Sequence, residues 1–168
     1  MSAAATSPAL ALLVQEATDR LARLAWIAAP PVLRVALAVP FFRSGLTKWG
    51  GVLSLSPAAI YLFEDEFKLH LFGRTYDFPW PAAFAYFDGV AEIVLPVLLM
   101  AGLATRISAL MLLVMTAIIQ LVVPEGWANF HLPWAAMILA IIALGPGPLS
   151  LDHLVASFRR KAEALDEQ

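Results

Sequence analysis

Four stretches of this chain carry almost no charge: roughly Pro31 to Trp49, Pro81 to Leu103, Ile107 to Val123, and Leu132 to about Leu144. Each is near the ~17–25 residues that a tilted helix needs to cross a bilayer. The connections Ala104-Thr105-Arg106 and Pro124 to Pro133 are short, so neighbouring helices must run antiparallel. The predicted fold is therefore all-α, an integral membrane four-helix up-down bundle. Composition agrees. The 168 residues are 61% hydrophobic and 14% charged, against about 25% charged in soluble domains. A formal charge of -2 and the lack of a basic face exclude nucleic acid as a partner. The absence of cysteine excludes thiol chemistry and disulfides within this chain.

Orientation follows from lysine and arginine. Arg20, Arg23, Arg34, Arg106, Arg159, Arg160 and Lys161 fall on one side, and Lys48, Lys68 and Arg74 on the other. Seven against three predicts a bacterial inner-membrane protein with both termini cytoplasmic. Trp49, Trp80, Trp127 and Trp134 sit at outer span ends, as an aromatic belt does. Residues 1–29 read as a cytoplasmic interfacial segment, since Leu10, Leu13, Val14, Ala17, Leu21 and Leu24 recur at helical spacing opposite Glu16, Asp19, Arg20 and Arg23. Residues 30–154 form the transmembrane domain, with a long outer loop over 50–80, and 155–168 a charged cytoplasmic tail. Within that loop Ser56 to Arg74 reads as a second amphipathic helix, on the outer leaflet or capping the bundle.

Ionisable groups inside a span mark a functional site by default. Three stand out. Arg43 lies about 9 Å below the outer boundary at 1.5 Å per residue, Asp88 at roughly the same depth, and Glu92 about 6 Å deeper. Asp88 and Glu92, at i and i+4, share a face. The expected arrangement pairs Arg43 with Asp88 and leaves Glu92 beneath. Such a pair can serve only to fix helix register. One arginine cannot neutralise two carboxylates, however, so Glu92 is the candidate for proton relay. Arg43, Asp88 and Glu92 are thus the candidate catalytic set. Lys48, Gln120 and His131 lie at the outer ends of their spans and are candidate ligand-binding groups. No metal site is expected; Glu66 and His70, at i and i+4, are a weak pair of candidate ligands.

The pieces Gly45-Leu46-Thr47-Lys48-Trp49, Glu92 leading to Pro96, Gly102-Leu103-Ala104-Thr105-Arg106, Gly145-Pro146-Gly147 and Leu149-Ser150-Leu151-Asp152 together resemble the DoxX family of small four-helix bacterial inner-membrane proteins. The resemblance covers roughly residues 31–154 and puts Lys48 and Glu92 at motif positions, with Arg106 in the inner turn. It implies a membrane subunit of an oxidoreductase assembly linked to stress response, with quinone as a candidate cofactor. Activity is not expected from this chain alone. Any sulfur redox step would fall to a protein partner. Two other functions compete. One is a non-catalytic anchor or carrier that takes a secreted peptide, metal or lipid through the long outer loop. The other is a proton-coupled small-solute transporter, which the charge-free inner halves of the spans disfavour. Expected partners are the lipid bilayer and further subunits, and a homo-oligomer is left open.

Overall fold

The computed structural model describes residues 8–166. Four long helices dominate: α1 (Pro8–Thr47), α3 (Pro81–Ala101), α4 (Thr105–Val122) and α5 (Leu132–Leu144). Between α1 and α3 lie a small hairpin, β1 (Trp49–Gly51) with β2 (Ser54–Leu55), the short helix α2 (Pro57–Tyr61), and a second hairpin, β3 (Lys68–Leu71) with β4 (Arg74–Asp77). A final helix, α6 (Leu151–Asp166), buries none of its residues. α1 and α4 each pack against both α3 and α5, closing an up-down ring of four. Leu37, Ala38, Phe41, Leu99, Ala109, Leu112, Ile138 and Ile141 fill its axis.

The outward faces are apolar too. Val94, Val97, Ile107, Leu110, Val114 and Leu139 are exposed, so these helices are hydrophobic all round. Among the described residues, four helical stretches are long and apolar enough to cross a membrane. An aqueous surface would not tolerate this pattern, and a lipid one requires it. The protein is an all-α membrane protein.

Three local expectations need correction. The interfacial helix and the first span are one continuous helix of 40 residues. The adjacent Pro30 and Pro31 do not end it. Each removes one N–H, and the alanines, leucines and arginines flanking them are strong helix formers. Residues 9–28 of this helix are exposed on every side. The fourth span is longer than its apolar stretch, and the added length lies before Leu132. It stops at Leu144, and a 3₁₀ turn (Pro124–Gly126) followed by a wide turn (Trp127–His131) extends it to 21 residues, Pro124–Leu144.

The loop helix is the third. α2 starts where expected, with Ser56 Oγ accepting from Ala59 N at 3.1 Å. It runs on only through a wide turn to Glu66, closed by Phe67 N donating to Leu62 O at 2.7 Å. Beyond it the chain turns back at Phe72 and Gly73, with φ of 51° and 74°. Two successive positive φ values make the hairpin turn that matches strand twist. The strands pair Lys68 with Asp77 and Leu71 with Arg74.

Candidate functional site

The loop does not float. Phe63 and Phe78 pack on Ala85 near the start of α3, joined by Leu55, Phe67, Leu69 and Val122. His70 Nδ1 lies 3.1 Å from the Leu121 carbonyl oxygen and pins the second hairpin to α4. Lys68 Nζ bridges Asp77 at 2.7 Å. The segment is thereby a cap on one end of the bundle.

Under the cap lies a cavity of about 390 Å³. Phe63, Phe67 and Phe78 roof it. Phe41 and Trp134, whose rings are 4.9 Å apart, close the α1–α5 side. Toward α3 and α4 it is lined by Phe87, Met111, Val114 and Ile118, which are also exposed on the outer surface of the bundle. The cavity therefore opens sideways between α3 and α4, at the height where lipid would meet the helices.

One wall is charged. Lys48 Nζ sits 2.8 Å from Asp88 Oδ2 and 2.5 Å from Glu92 Oε2. Lys48 is 7% exposed and Glu92 3%. Asp88 is half-buried, the more exposed of the two carboxylates. The Ser44 hydroxyl also reaches Glu92. Two features of α1 make this geometry. Residues 41, 44, 45 and 48 recur at helical spacing and face α3. Gly45 lets the backbones close, because a Cβ there would stand 2.9 Å from Glu92 Cβ. Lys48 then follows the last helical residue, held by its N–H to Gly45 O at 3.2 Å and by Ser56 N to its own carbonyl at 2.8 Å.

The expected Arg43–Asp88 pair is not formed. Arg43 is exposed. It lies five residues before Lys48, about 140° around the helix. It is also off in height, because Gly45 faces Glu92 and Lys48 faces Gly89, which sets Arg43 about 9 Å along the axis from the level of Asp88. Gln120 and His131 do meet, with Gln120 Oε1 2.6 Å from His131 Nδ1, but neither lines the cavity. Gln120 Nε2 donates to Pro124 O at 3.1 Å, so the couple braces the turn into α5. His131 reaches the site only through its ring contact with Trp134, at 5.6 Å. As to metal, His70 is engaged with Leu121, and no cluster of three or more His, Asp or Glu side chains suited to a metal occurs among the described residues.

A second polar cluster lies at the opposite end, among segments legible beforehand only as scattered turn motifs. Asp152 Oδ1 and Oδ2 accept from Ala104 N and Thr105 N, each at 2.8 Å, and so cap α4. Asp152 N returns a bond to Gly102 O at 2.8 Å. The buried Arg34 donates from Nη2 to Leu149 O, and Arg106 Nε to Ile142 O at 3.1 Å. Four distant segments are knitted together here. Burial opposes a charge on Asp152, but the bonds from Thr105 and Ala104 and the nearby Arg34 outweigh it and hold its carboxyl below the ordinary carboxylate range. Its contribution to stability is then complete above about pH 4, the unfolded value, and is lost as pH falls through the lower folded value. Asp152→Ala is expected to cost about 1–2 kcal/mol at neutral pH. In detergent melts the gap to the wild-type protein should narrow only below about pH 4. A pH-independent gap would remove the charge from this account.

The chain matches the DoxX family over residues 29–125, which takes in the cap, the lysine–carboxylate wall and the α3–α4 opening. It is also 30% identical, over 139 residues, to an uncharacterized protein of Haemophilus influenzae, the match covering 74% of this chain and 81% of that one. No solved structure matches. By sequence match and by its four apolar helices, the chain belongs to the DoxX family.

Proposed function

We propose that this protein is a membrane subunit of an oxidoreductase assembly in the bacterial inner membrane, and that its capped cavity holds the ring of a membrane-soluble quinone. The observation that carries this reading is a cavity of about 390 Å³, aromatic-walled and open toward lipid, with a single charged wall of Lys48, Asp88 and Glu92. A quinone dissolves in hydrocarbon and presents a flat ring with oxygen atoms at its edge. It could enter between α3 and α4 without crossing water. The aromatic walls suit the ring, and the charged wall supplies the few convergent polar groups that fix a ligand's orientation.

The lysine and arginine bias supports an orientation with the cap and the charged wall on the periplasmic side and both termini cytoplasmic. Glu92, buried against Lys48, is the group best placed to exchange a proton with the ligand, and Asp88, on the same lysine, is the more exposed of the two carboxylates. With no cysteine and no cluster of metal-ligand residues among those described, electrons would pass to and from the ligand through a partner subunit. The loop's aromatic residues roof the cavity, which favours this reading over an independent capture surface for a peptide.

Ala91 lines the cavity without touching the charged wall's bonds. Ala91→Phe is expected to fill it. Extraction of the purified protein should then yield at least about tenfold less quinone than wild type, with an unchanged or higher melting temperature, because filling a void adds apolar contact. Wild-type protein carrying no quinone would sink the reading.

A further inference from the structure

Which redox form of the ligand the wall prefers follows from counting donors and acceptors. Among the described residues Lys48 is the only cationic side chain lining the cavity, and two of its three ammonium hydrogens are spent on Asp88 and Glu92. The two carboxylates bring four oxygens and about eight lone-pair sites between them. Lys48 and the Ser44 hydroxyl occupy only a few of these. The wall also carries one formal negative charge in excess. It is therefore rich in acceptors and poor in free donors, and the other lining side chains are apolar except Trp134, which sits on the α1–α5 side and adds one indole N–H. Here we propose that the cavity selects an aromatic hydroxyl donor, the quinol, over the quinone carbonyl acceptor. The selection rests on the quinone reading above, but its chemistry is broader: any lipophilic phenol of suitable size satisfies the same wall.

Asp88 is the residue that makes the difference. Both carboxylates line the cavity, but Asp88 is half-buried where Glu92 is buried, so it is the more accessible of the two to an entering ring. A hydroxyl at the ring edge would donate to a carboxylate, a charge-assisted bond stronger than a neutral one. A carbonyl in the same place would set its lone pairs against a carboxylate, with only the remaining Lys48 hydrogen to meet it. Binding alone then favours the reduced form, and a bound couple is shifted toward reduction.

The test is equilibrium binding to the full-length protein in lipid nanodiscs, under anaerobic conditions, corrected for partition into empty nanodiscs. Two matched pairs of probes are used: a decyl-substituted benzoquinone with its quinol, and para-decylphenol with its methyl ether. The quinol and the phenol should each bind on the order of tenfold or more tightly than their partners. Asp88→Asn and Glu92→Gln should each shrink that ratio, since an amide presents donors as well as acceptors. The comparison within wild-type protein stands even if a variant fails to fold. Equal or tighter binding of the quinone and of the ether overturns the donor preference while leaving a quinone site in place. Selective binding of the phenol with neither quinone nor quinol bound keeps the donor preference and removes the quinone reading. Binding of none of the four overturns both.

Discussion

Lys48→Met is expected to destabilise the protein by about 3–5 kcal/mol, the cost of leaving buried charge without its partner. The reason lies in the numbers of the site. One ammonium answers two carboxylates, at 2.8 Å and 2.5 Å, and Glu92 is 3% exposed. With the ammonium gone, no other cation is at hand among the residues that line the cavity. Arg43 is turned away, and no other cationic side chain lines the cavity. Methionine fills nearly the same volume, so packing contributes little to the loss. The companion is the double variant Lys48→Met/Glu92→Gln, in which only the half-buried Asp88 keeps its charge. It should recover more than half of the lost stability in thermal or denaturant unfolding of the detergent-solubilised protein. Full loss in the double variant would mean that Lys48 acts through packing rather than through charge.

Gly102→Ala should be comparably severe, for steric reasons. Gly102 ends α3 with φ of +68°, where an L side chain is strained by roughly 1–2 kcal/mol. A Cβ there would also stand 1.8 Å from Arg34 Nη1 and 2.5 Å from Ser150 Cβ. Arg34 cannot retreat, because it is buried and donates to Leu149 O. The turn also presents the Gly102 carbonyl to Asp152 N, so displacing it pulls on the cap of α4. Little folded protein is expected in membranes. Wild-type yield and melting temperature from Gly102→Ala would contradict the close packing of Arg34 on this turn.

Much of this arrangement is legible in the sequence, and the parts that are not have physical reasons. Apolar length alone gave four spans, and α5 runs from Leu132 to Leu144 as read. The i,i+4 spacing of Asp88 and Glu92 put both carboxylates on one face, and they share a cationic partner. The partner itself was misread because counting residues from the span ends fixed neither the register nor the direction. Gly45 faces Glu92 and Lys48 faces Gly89, so Arg43 lies about 9 Å along the axis from Asp88 and is exposed, while Lys48, just past the helix end, reaches both carboxylates. The proline pair at 30 and 31 suggested a break, but the helix flanks on both sides carried it through. The second hairpin had a signal that the apolar residues of the loop obscured. Phe72-Gly73 sits at its turn, between segments that pair from Lys68–Asp77 to Leu71–Arg74. The cluster at the far end joins Arg34, Gly102, Ala104, Thr105 and Asp152 across more than a hundred residues, which no local pattern reveals. Its segments appeared in the sequence only as family motifs, and the structure supplies their physical purpose, the mutual satisfaction of helix ends.

Occupancy of the space beneath the cap by a quinone ring, against Lys48, Asp88 and Glu92, can be tested by location. A photoreactive quinone analogue, activated in membranes containing the wild-type protein and mapped by peptide mass spectrometry, should label residues that face the cavity, above all Met115, Leu95 and Phe67. Excess unlabelled quinone should suppress that labelling. Labelling confined to outward residues away from the opening, such as Leu110 and Leu139, or insensitive to competitor, would contradict the account.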